Sequence, residues 1–135
     1  MKANGVIQRK LELIAGNVRR LRDLGVLKIQ TLEQDFFLKS GIERTLQMSI
    51  EAMIDVANRM ISLDNRPAVS ESYQSLTQIE AMGIIERADR YRDMVRFRNL
   101  IVHRYESIDP DILIGILERH LQDFDHFVKE VENHV

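Results

Sequence analysis

Residues 31–63, TLEQDFFLKSGIERTLQMSIEAMIDVANRMISL, decide the fold class of this chain. Apolar side chains recur every three or four positions along the stretch, which is the period of one face of an α-helix. The apolar stripe consists of Phe36, Ile42, Leu46, Ile50, Met53, Ala57 and Met60. The first four residues, Thr-Leu-Glu-Gln, match the capping-box pattern that opens many helices. We therefore predict one long helix from about residue 31 to about residue 63.

The same helical period continues on both sides of this stretch, and strand-type alternation is absent. Gly83 separates two helical segments, and Asp109 with Pro110 provides an N-cap and a first helical residue for the last one. The helices are predicted over about residues 6–24, 31–63, 72–82, 84–104 and 110–131. We predict an all-α fold, an antiparallel bundle of four main helices plus one short helix, in a single domain of residues 1–135.

The composition limits the classes of function. The chain has 135 residues, no cysteine and a formal net charge of −2, so a disulfide framework and a thiolate metal site are excluded. No apolar run approaches the ~18 residues of a membrane span, and charge appears too early for a secretory signal. We expect a cytoplasmic protein without a membrane segment.

Charge is distributed unevenly along the C-terminal half. Residues 86–104 carry six arginines and three acids, whereas residues 106–135 carry eight acids, one arginine and one lysine. A local basic strip on an acidic protein can bind a short stretch of RNA backbone. The alternative is that these arginines form solvated ion pairs with acids three or four positions away. Without the motif described next, that alternative is the favoured interpretation.

Residues 98–105, RNLIVHRY, place a permanent cation, an amide, an imidazole and a phenol near the end of one helix. Arg98 can hold a phosphate with its planar fork, and an unperturbed histidine titrates near pH ~6.5 and can transfer protons. In a helix Asn99 and His103 are one turn apart, and Arg98 and Tyr105 lie two turns apart on nearly the same face. These groups suit cleavage of a phosphodiester without a metal or other cofactor.

The motif Arg, four residues, His, one residue, Tyr lies within the string FRNLIVHRYESID, residues 97–109. It resembles the HEPN superfamily and, within it, the HepT-like toxin branch, and the resemblance covers most of the chain. The resemblance implies a ribonuclease toxin that acts as a homodimer, with two copies of His103 facing one shared cleft. It also implies a partner, a cognate minimal nucleotidyltransferase antitoxin that inactivates the toxin by attaching AMP to Tyr105.

The site residues follow from this chemistry and from the resemblance. Arg98 is predicted to bind the scissile phosphate, and His103 to act as general acid or base when the RNA 2′-hydroxyl attacks. Asn99 is predicted to support the site by fixing the imidazole or a backbone carbonyl. Arg96 and Arg104 are candidate contacts to the RNA backbone. Taken alone, a histidine at a helix C-terminus is also explained by the helix dipole.

Three further interpretations compete with this one. A non-catalytic HEPN subunit that binds nucleotide or RNA for a nucleotidyltransferase would use Arg98 but would tolerate the loss of His103. A helical interaction or phosphotransfer bundle ranks well behind, because His103 lies at a helix end. A metal site at His126, Glu130 and His134 would rest on i,i+4 spacing alone, which is weak evidence on an acidic helix, and we predict none.

Overall fold

The described part of the chain, residues 5–103 and 108–134 of a computed structural model, is helical. The α-helices are α1 (Gly5–Asp23), α2 (Ile29–Gln34), α3 (Phe36–Leu63), α4 (Ser72–Ala81), α5 (Arg92–His103), α6 (Pro110–Arg119) and α7 (Leu121–His134). A short 3-10 helix, Ala88–Tyr91, precedes α5. No strand occurs in these residues, and the all-α prediction is confirmed.

The central helix is α3, against which α1, α2, α4, α5 and α6 all pack. Six positions of its predicted stripe are buried, namely Ile42, Leu46, Ile50, Met53, Ala57 and Met60. Phe36 is the exception, since its side chain at the first position of α3 is 72% exposed. Burial of this continuous apolar face stabilises the bundle through the hydrophobic effect, because each fully buried aliphatic side chain contributes about 1.5–3 kcal/mol.

The pairing of α1 with α3 is antiparallel. The Lys10 Nζ atom lies 3.2 Å from Asp55 Oδ2, and the Asn17 side-chain amide donates to Ser49 Oγ at 3.1 Å. Residue numbers therefore rise along α1 while they fall along α3. This agrees with the antiparallel bundle predicted from the sequence.

The predicted long helix is broken at Asp35, so two helices stand where one was expected. Asp35 has an extended backbone (φ −122°, ψ 91°), and its carboxylate accepts the backbone N–H of Leu38 at 3.0 Å. This N-cap satisfies a first-turn N–H that has no carbonyl partner within the helix. Thr31 lies inside α2, and Lys28 occupies its N-cap position without a side-chain cap. The capping-box prediction was therefore wrong.

The predicted fourth helix begins at Arg92 and not at residue 84. The cause starts at the end of α4, where Gly83 adopts φ +77°. The N–H of Ile84 donates to the Ile79 carbonyl at 2.9 Å, and the N–H of Gly83 donates to the Glu80 carbonyl at 3.0 Å. These two bonds form a Schellman motif, which ends a helix with a left-handed glycine.

Two carboxylates then hold the segment between α4 and α5 in a path that is not α-helical. Glu130 of α7 accepts the backbone N–H of Glu86 at 2.7 Å, and Glu80 of α4 accepts the N–H of Ala88 at 2.6 Å. Because buried or partly buried N–H groups need partners, these bonds make the irregular path acceptable. The helix that carries the motif is shorter than predicted for this reason.

The predicted last helix is also two helices, α6 and α7, with His120 between them. Asp109 caps α6 as predicted, because its carboxylate accepts the N–H of Asp111 at 3.0 Å. The His120 carbonyl accepts the N–H of Asp123 at 3.0 Å, and the His120 Nδ1 atom lies 2.8 Å from Asp123 Oδ2. The prediction of four main helices plus one short helix therefore missed the breaks at Asp35 and His120.

Candidate active site between α5 and α3

The motif-bearing helix α5 is anchored in its first half and carries polar residues in its second half. The buried anchors are Met94, Val95 and Phe97, and they follow the buried Tyr91 at the end of the 3-10 helix. After them, Arg98 and Asn99 are half-buried, and Val102 is 46% exposed. A rigid buried stem therefore carries the polar end of the helix, which is the arrangement that a precise site requires.

Arg98 points towards α3, where it meets an acid that the sequence reasoning did not single out. Its Nε atom lies 3.6 Å from Glu51 Oε1, and its Nη1 atom donates to Asn99 Oδ1 at 3.2 Å. Glu51 Oε1 also accepts from the Gln47 side-chain amide at 3.1 Å. Nothing in the sequence links these α3 residues to Arg98, since their contact depends on how two distant helices pack.

The guanidinium of Arg98 is only partly satisfied by these contacts. Its side chain is 27% exposed, yet Nε is buried and has no hydrogen-bond partner among the described residues. A buried donor without a partner costs about 1–3 kcal/mol in general, so it calls for an explanation. Because Nε is buried, an anion can bind only through the exposed part of the guanidinium, and a half-buried cation of this kind is typical of anion-binding sites.

Asn99 was predicted to fix the imidazole of His103 or a backbone carbonyl. In the structure its Oδ1 atom accepts from Arg98, so it supports the cation. The α5 backbone continues to His103, one helical turn beyond Asn99. The His103 imidazole lies outside the described residues, as do Arg104 and Tyr105 entirely, so the roles predicted for these three remain predictions.

Arg96 lies on the other side of α5 from Arg98. Two residues that are two positions apart on a helix point about 200° apart, which follows from 3.6 residues per turn. Arg96 lines a surface groove with Leu100 and Ile116, and its Nη1 atom is 3.8 Å from Asp93 Oδ1. Within one chain, the structure does not bring Arg96 together with Arg98.

Other arginines of the basic strip also have side-chain partners, and some of these partners are close in sequence. Arg87 binds Asp89 through two hydrogen bonds of 3.1 and 2.9 Å, which raise the pKa of the guanidinium and lower the pKa of the carboxyl. Arg92 donates to the Tyr73 hydroxyl at 3.1 Å. Local ion pairing is therefore observed for Arg87 with Asp89, two positions away, and for Arg96 with Asp93, three positions away, whereas Arg92 contacts a residue of α4. Arg90 and Arg98 differ from these because their acids, Asp123 and Glu51, come from other helices.

A second polar cluster lies where the 3-10 helix meets α7. Arg90 Nε donates to Asp123 Oδ1 at 3.0 Å, and the other Asp123 oxygen is 2.8 Å from His120 Nδ1. Nearby, the buried Tyr91 hydroxyl donates to Glu130. Burial raises the pKa of the Tyr91 phenol, and the hydrogen bond to Glu130 raises it further. This cluster could not be predicted from the sequence, because its members come from separate elements.

The described residues contain neither a metal cluster nor a membrane-spanning helix. Among residues 5–103 and 108–134, no group of three or more His, Cys, Asp or Glu side chains is arranged to hold a metal ion. No helix in the same residues is long and apolar enough to span a membrane. Glu130, considered above with two histidines, binds the Tyr91 hydroxyl and the Glu86 N–H, and its Oε1 atom lies 3.7 Å from His126 Nε2.

Comparison with known proteins places this arrangement in a family. The model for the family described as ribonuclease HepT-like matches residues 6–131. The chain belongs to this family. It is 28% identical over 131 residues to the mRNA nuclease HepT of Shewanella oneidensis, covering 96% of this chain and 98% of that protein. It is 22% identical over 132 residues to the tRNA nuclease HepT of Aphanizomenon flos-aquae, covering 96% and 90%.

Solved structures of HepT-like toxins have the same fold. The tri-AMPylated HEPN toxin of Shewanella oneidensis, solved in complex with its MNT antitoxin, superposes with a TM-score of 0.85 at 27% identity, covering 97% of this chain and 99% of that one. A toxin–antitoxin complex with AMP-PNP gives a TM-score of 0.84 at 27% identity, with coverage of 96% and 98%. The family named from the motif is therefore confirmed, and so is its all-helical fold.

Proposed function

We propose that this HepT-like protein is a metal-independent endoribonuclease toxin that cleaves RNA with Arg98 and His103 and is controlled by a nucleotidyltransferase antitoxin. The family and the nuclease relatives support the class of ribonuclease toxin. The observation that carries the site is Arg98, a half-buried guanidinium held on α5 shortly before His103 and left with an incomplete set of hydrogen bonds.

The reaction would use the 2′-hydroxyl of the RNA as nucleophile. One group removes the proton of this hydroxyl, a second delivers a proton to the leaving 5′-oxygen, and a cation stabilises the charge that develops on the phosphorus oxygens. Arg98 supplies the cation, and a histidine can perform either proton transfer. One His103 cannot stand on both sides of the phosphorus at once, so the reaction calls for two.

A homodimer would supply the second His103. The surface beside the Arg98–Glu51 contact supports this pairing, because Val102 of α5 is 46% exposed and Met48 of α3 is 37% exposed. Apolar side chains next to a polar site favour a covered surface in the working protein. We expect Val102→Asp to weaken the dimer in analytical ultracentrifugation and to reduce cleavage in parallel. A monomer that cleaves RNA at the full rate would contradict this proposal.

Cleavage itself is tested with purified protein and total RNA, with and without EDTA. We expect equal cleavage in both conditions for the wild type and none for His103→Ala, with unchanged circular dichroism. His134→Ala is a control, since His134 is an exposed histidine at the end of α7. Full cleavage by His103→Ala would refute the acid–base role. RNA binding without cleavage by the wild type would favour the non-catalytic subunit.

Control by the antitoxin would act through Tyr105. Attached AMP would place an anion beside Arg98 and compete with the phosphate of the substrate. The tri-AMPylated state of the Shewanella oneidensis toxin supports this form of control. We expect co-expression with the cognate nucleotidyltransferase to add AMP-sized mass to the wild type and none to Tyr105→Phe. Tyr105→Phe should keep most of its cleavage activity, because a phenol with a pKa near ~10 is a poor base at neutral pH.

A further inference from the structure

We propose that Glu51 of α3 is the positioning residue for Arg98, with Gln47 holding Glu51 in place. The inference rests on the proposed function of the Arg98 site. Its basis is the geometry between the two helices: Glu51 Oε1 lies 3.6 Å from Arg98 Nε and accepts from Gln47 Nε2 at 3.1 Å. Glu51 does not need to touch the substrate for this role, because it acts through the guanidinium.

The burial of the individual atoms explains why an acid at this place orients the arginine. Arg98 Nε is buried, so the exposed 27% of the side chain belongs to its other atoms. Glu51 attracts the Nε side of the guanidinium inwards, and Asn99 accepts from Nη1 at 3.2 Å. An arginine has five N–H donors in one rigid plane. Holding Nε and Nη1 in place therefore also fixes the direction in which the remaining N–H groups point.

The local structure of α3 keeps the acid in reach. Gln47 and Glu51 are one turn apart, and an i,i+4 pair of this kind lies on one helix face. The Glu51 side chain is 35% exposed, so the carboxylate is partly desolvated without being sealed from water. Its attraction to Arg98 is therefore stronger than that of a fully solvated surface pair.

The charge of Glu51 has an effect on binding that is separate from its effect on geometry. A carboxylate next to Arg98 partly offsets the positive potential that a substrate phosphate meets. Removal of Glu51 should therefore leave ground-state phosphate binding intact or stronger, while it misplaces the cation for the transition state. A displacement of about 1 Å can cost on the order of 100-fold in rate. The expected signature is a lower kcat with an unchanged or lower KM.

Three variants test this in steady-state cleavage of a short RNA. We expect Glu51→Ala to lower kcat about 10- to 100-fold without raising KM. Glu51→Gln keeps the length and an acceptor oxygen, so it should recover most of the lost kcat. In an Arg98→Lys background, Glu51→Ala should have little further effect, because the Nε–H group that Glu51 faces is missing. Full additivity in that background would overturn the proposal.

The chain offers a matched control on α1. Gln8 Nε2 donates to Glu12 Oε1 at 3.4 Å, which is the same Gln-x-x-x-Glu pair on an exposed helix face. Glu12→Ala should leave kcat and KM unchanged. If Glu51→Ala cleaves as fast as Glu12→Ala, Glu51 does not position Arg98. If both variants lose activity, the loss comes from a general effect on the helices and not from the position of Arg98, and the proposal fails as well.

A measurement that does not depend on cleavage separates this proposal from the ribonuclease function. In ¹⁵N-labelled protein, the Nε–H signal of Arg98 is identified by its loss in Arg98→Lys. We expect its hydrogen exchange to be faster in Glu51→Ala than in the wild type and to be slow again in Glu51→Gln. Equal exchange in all three would overturn the positioning role. If the wild type does not cleave RNA, the proposed function fails, and this exchange still decides the role of Glu51.

Discussion

Arg90 and Arg98 belong to the same basic strip, yet they meet acids in different ways. Arg90 Nε donates to Asp123 at 3.0 Å, and the second oxygen of Asp123 is taken by His120 at 2.8 Å. Arg98 Nε stands 3.6 Å from Glu51 and has no hydrogen-bond partner in the described part of the chain. The first cluster is complete, and the second is not.

The difference separates a group that holds the fold together from a group that is available for a ligand. A complete cluster ties the 3-10 helix to α7, so its loss should lower the stability of the fold. An incomplete one adds little to stability, and the exposed part of the Arg98 guanidinium stays available to a ligand phosphate. Substitutions at Arg98, Asp123, Tyr91 and Arg96 test this difference.

The largest effect is expected for Arg98→Ala. Cleavage should fall by at least on the order of 10²–10³-fold, because a charged donor to the developing transition-state charge is lost. The free energy of unfolding should change by less than about 1 kcal/mol, since the contacts of Arg98 are partial and partly exposed. RNA gels and urea denaturation of one preparation measure both. A large loss of stability would show that Arg98, like Arg90, holds the fold together.

Asp123→Ala should show the opposite pattern. Removing the carboxylate leaves Arg90 and the largely buried His120 without their partner, at an expected cost of about 1–3 kcal/mol in unfolding free energy. Cleavage per folded molecule should be retained. Asp125→Ala is the matched control, since Asp125 forms an exposed pair with Arg22 and should cost less than about 1 kcal/mol. Lost cleavage with unchanged stability would contradict the structural role.

Tyr91→Phe should have a smaller cost of about 0.5–1.5 kcal/mol, the usual value of one hydrogen bond. Glu130 still accepts the hydrogen bond from the Glu86 N–H after the change, which limits the loss of stability. Because the pKa of the Tyr91 phenol is raised in the folded protein, the contribution of its hydroxyl is fully present below the unfolded value near ~10. It should disappear only as pH rises further, through the folded pKa. Urea denaturation should therefore give the same difference in unfolding free energy between Tyr91→Phe and the wild type at pH 7 and at pH 9.

Arg96→Ala should have the smallest effect. Arg96 is 70% exposed and lies on the other side of α5 from Arg98, so at most one backbone phosphate contact is lost. We expect weaker RNA binding at low salt, a salt slope reduced by about one, and an unchanged kcat. Fluorescence anisotropy over a salt series measures the slope. A fall in kcat comparable to that of Arg98→Ala would show that both arginines reach the same phosphate.

The helical period was enough to predict the fold class and most helix positions. Ile42, Ile50 and Met60 are buried as their spacing indicated, and Asp109 caps α6 as its residue type indicated. Both are local properties, since a side chain repeating every three or four positions can only face one direction of a helix. The motif around Arg98 is likewise local, and it was enough to predict the family that the family model confirms.

Two of the helix breaks could not be predicted from the period alone. Thr31 and Asp35 are both residue types that cap helices, and the apolar period does not distinguish them; the structure gives the cap to Asp35. The segment between α4 and α5 depends on Glu130, which reaches Glu86 from a helix far along the chain. A hydrogen bond that closes only after the helices have packed leaves no signal in the neighbouring residues.

The sequence by itself determined that the chain is helical and which faces are apolar, and it predicts which residues carry phosphate and proton chemistry. Tertiary structure alone decided which partner each charge received. It gave Asp123 to Arg90 and brought Glu51 beside Arg98. The physical reason is distance along the chain: periodicity and capping act within a few residues, whereas ion pairs between helices form only where packing brings their side chains together.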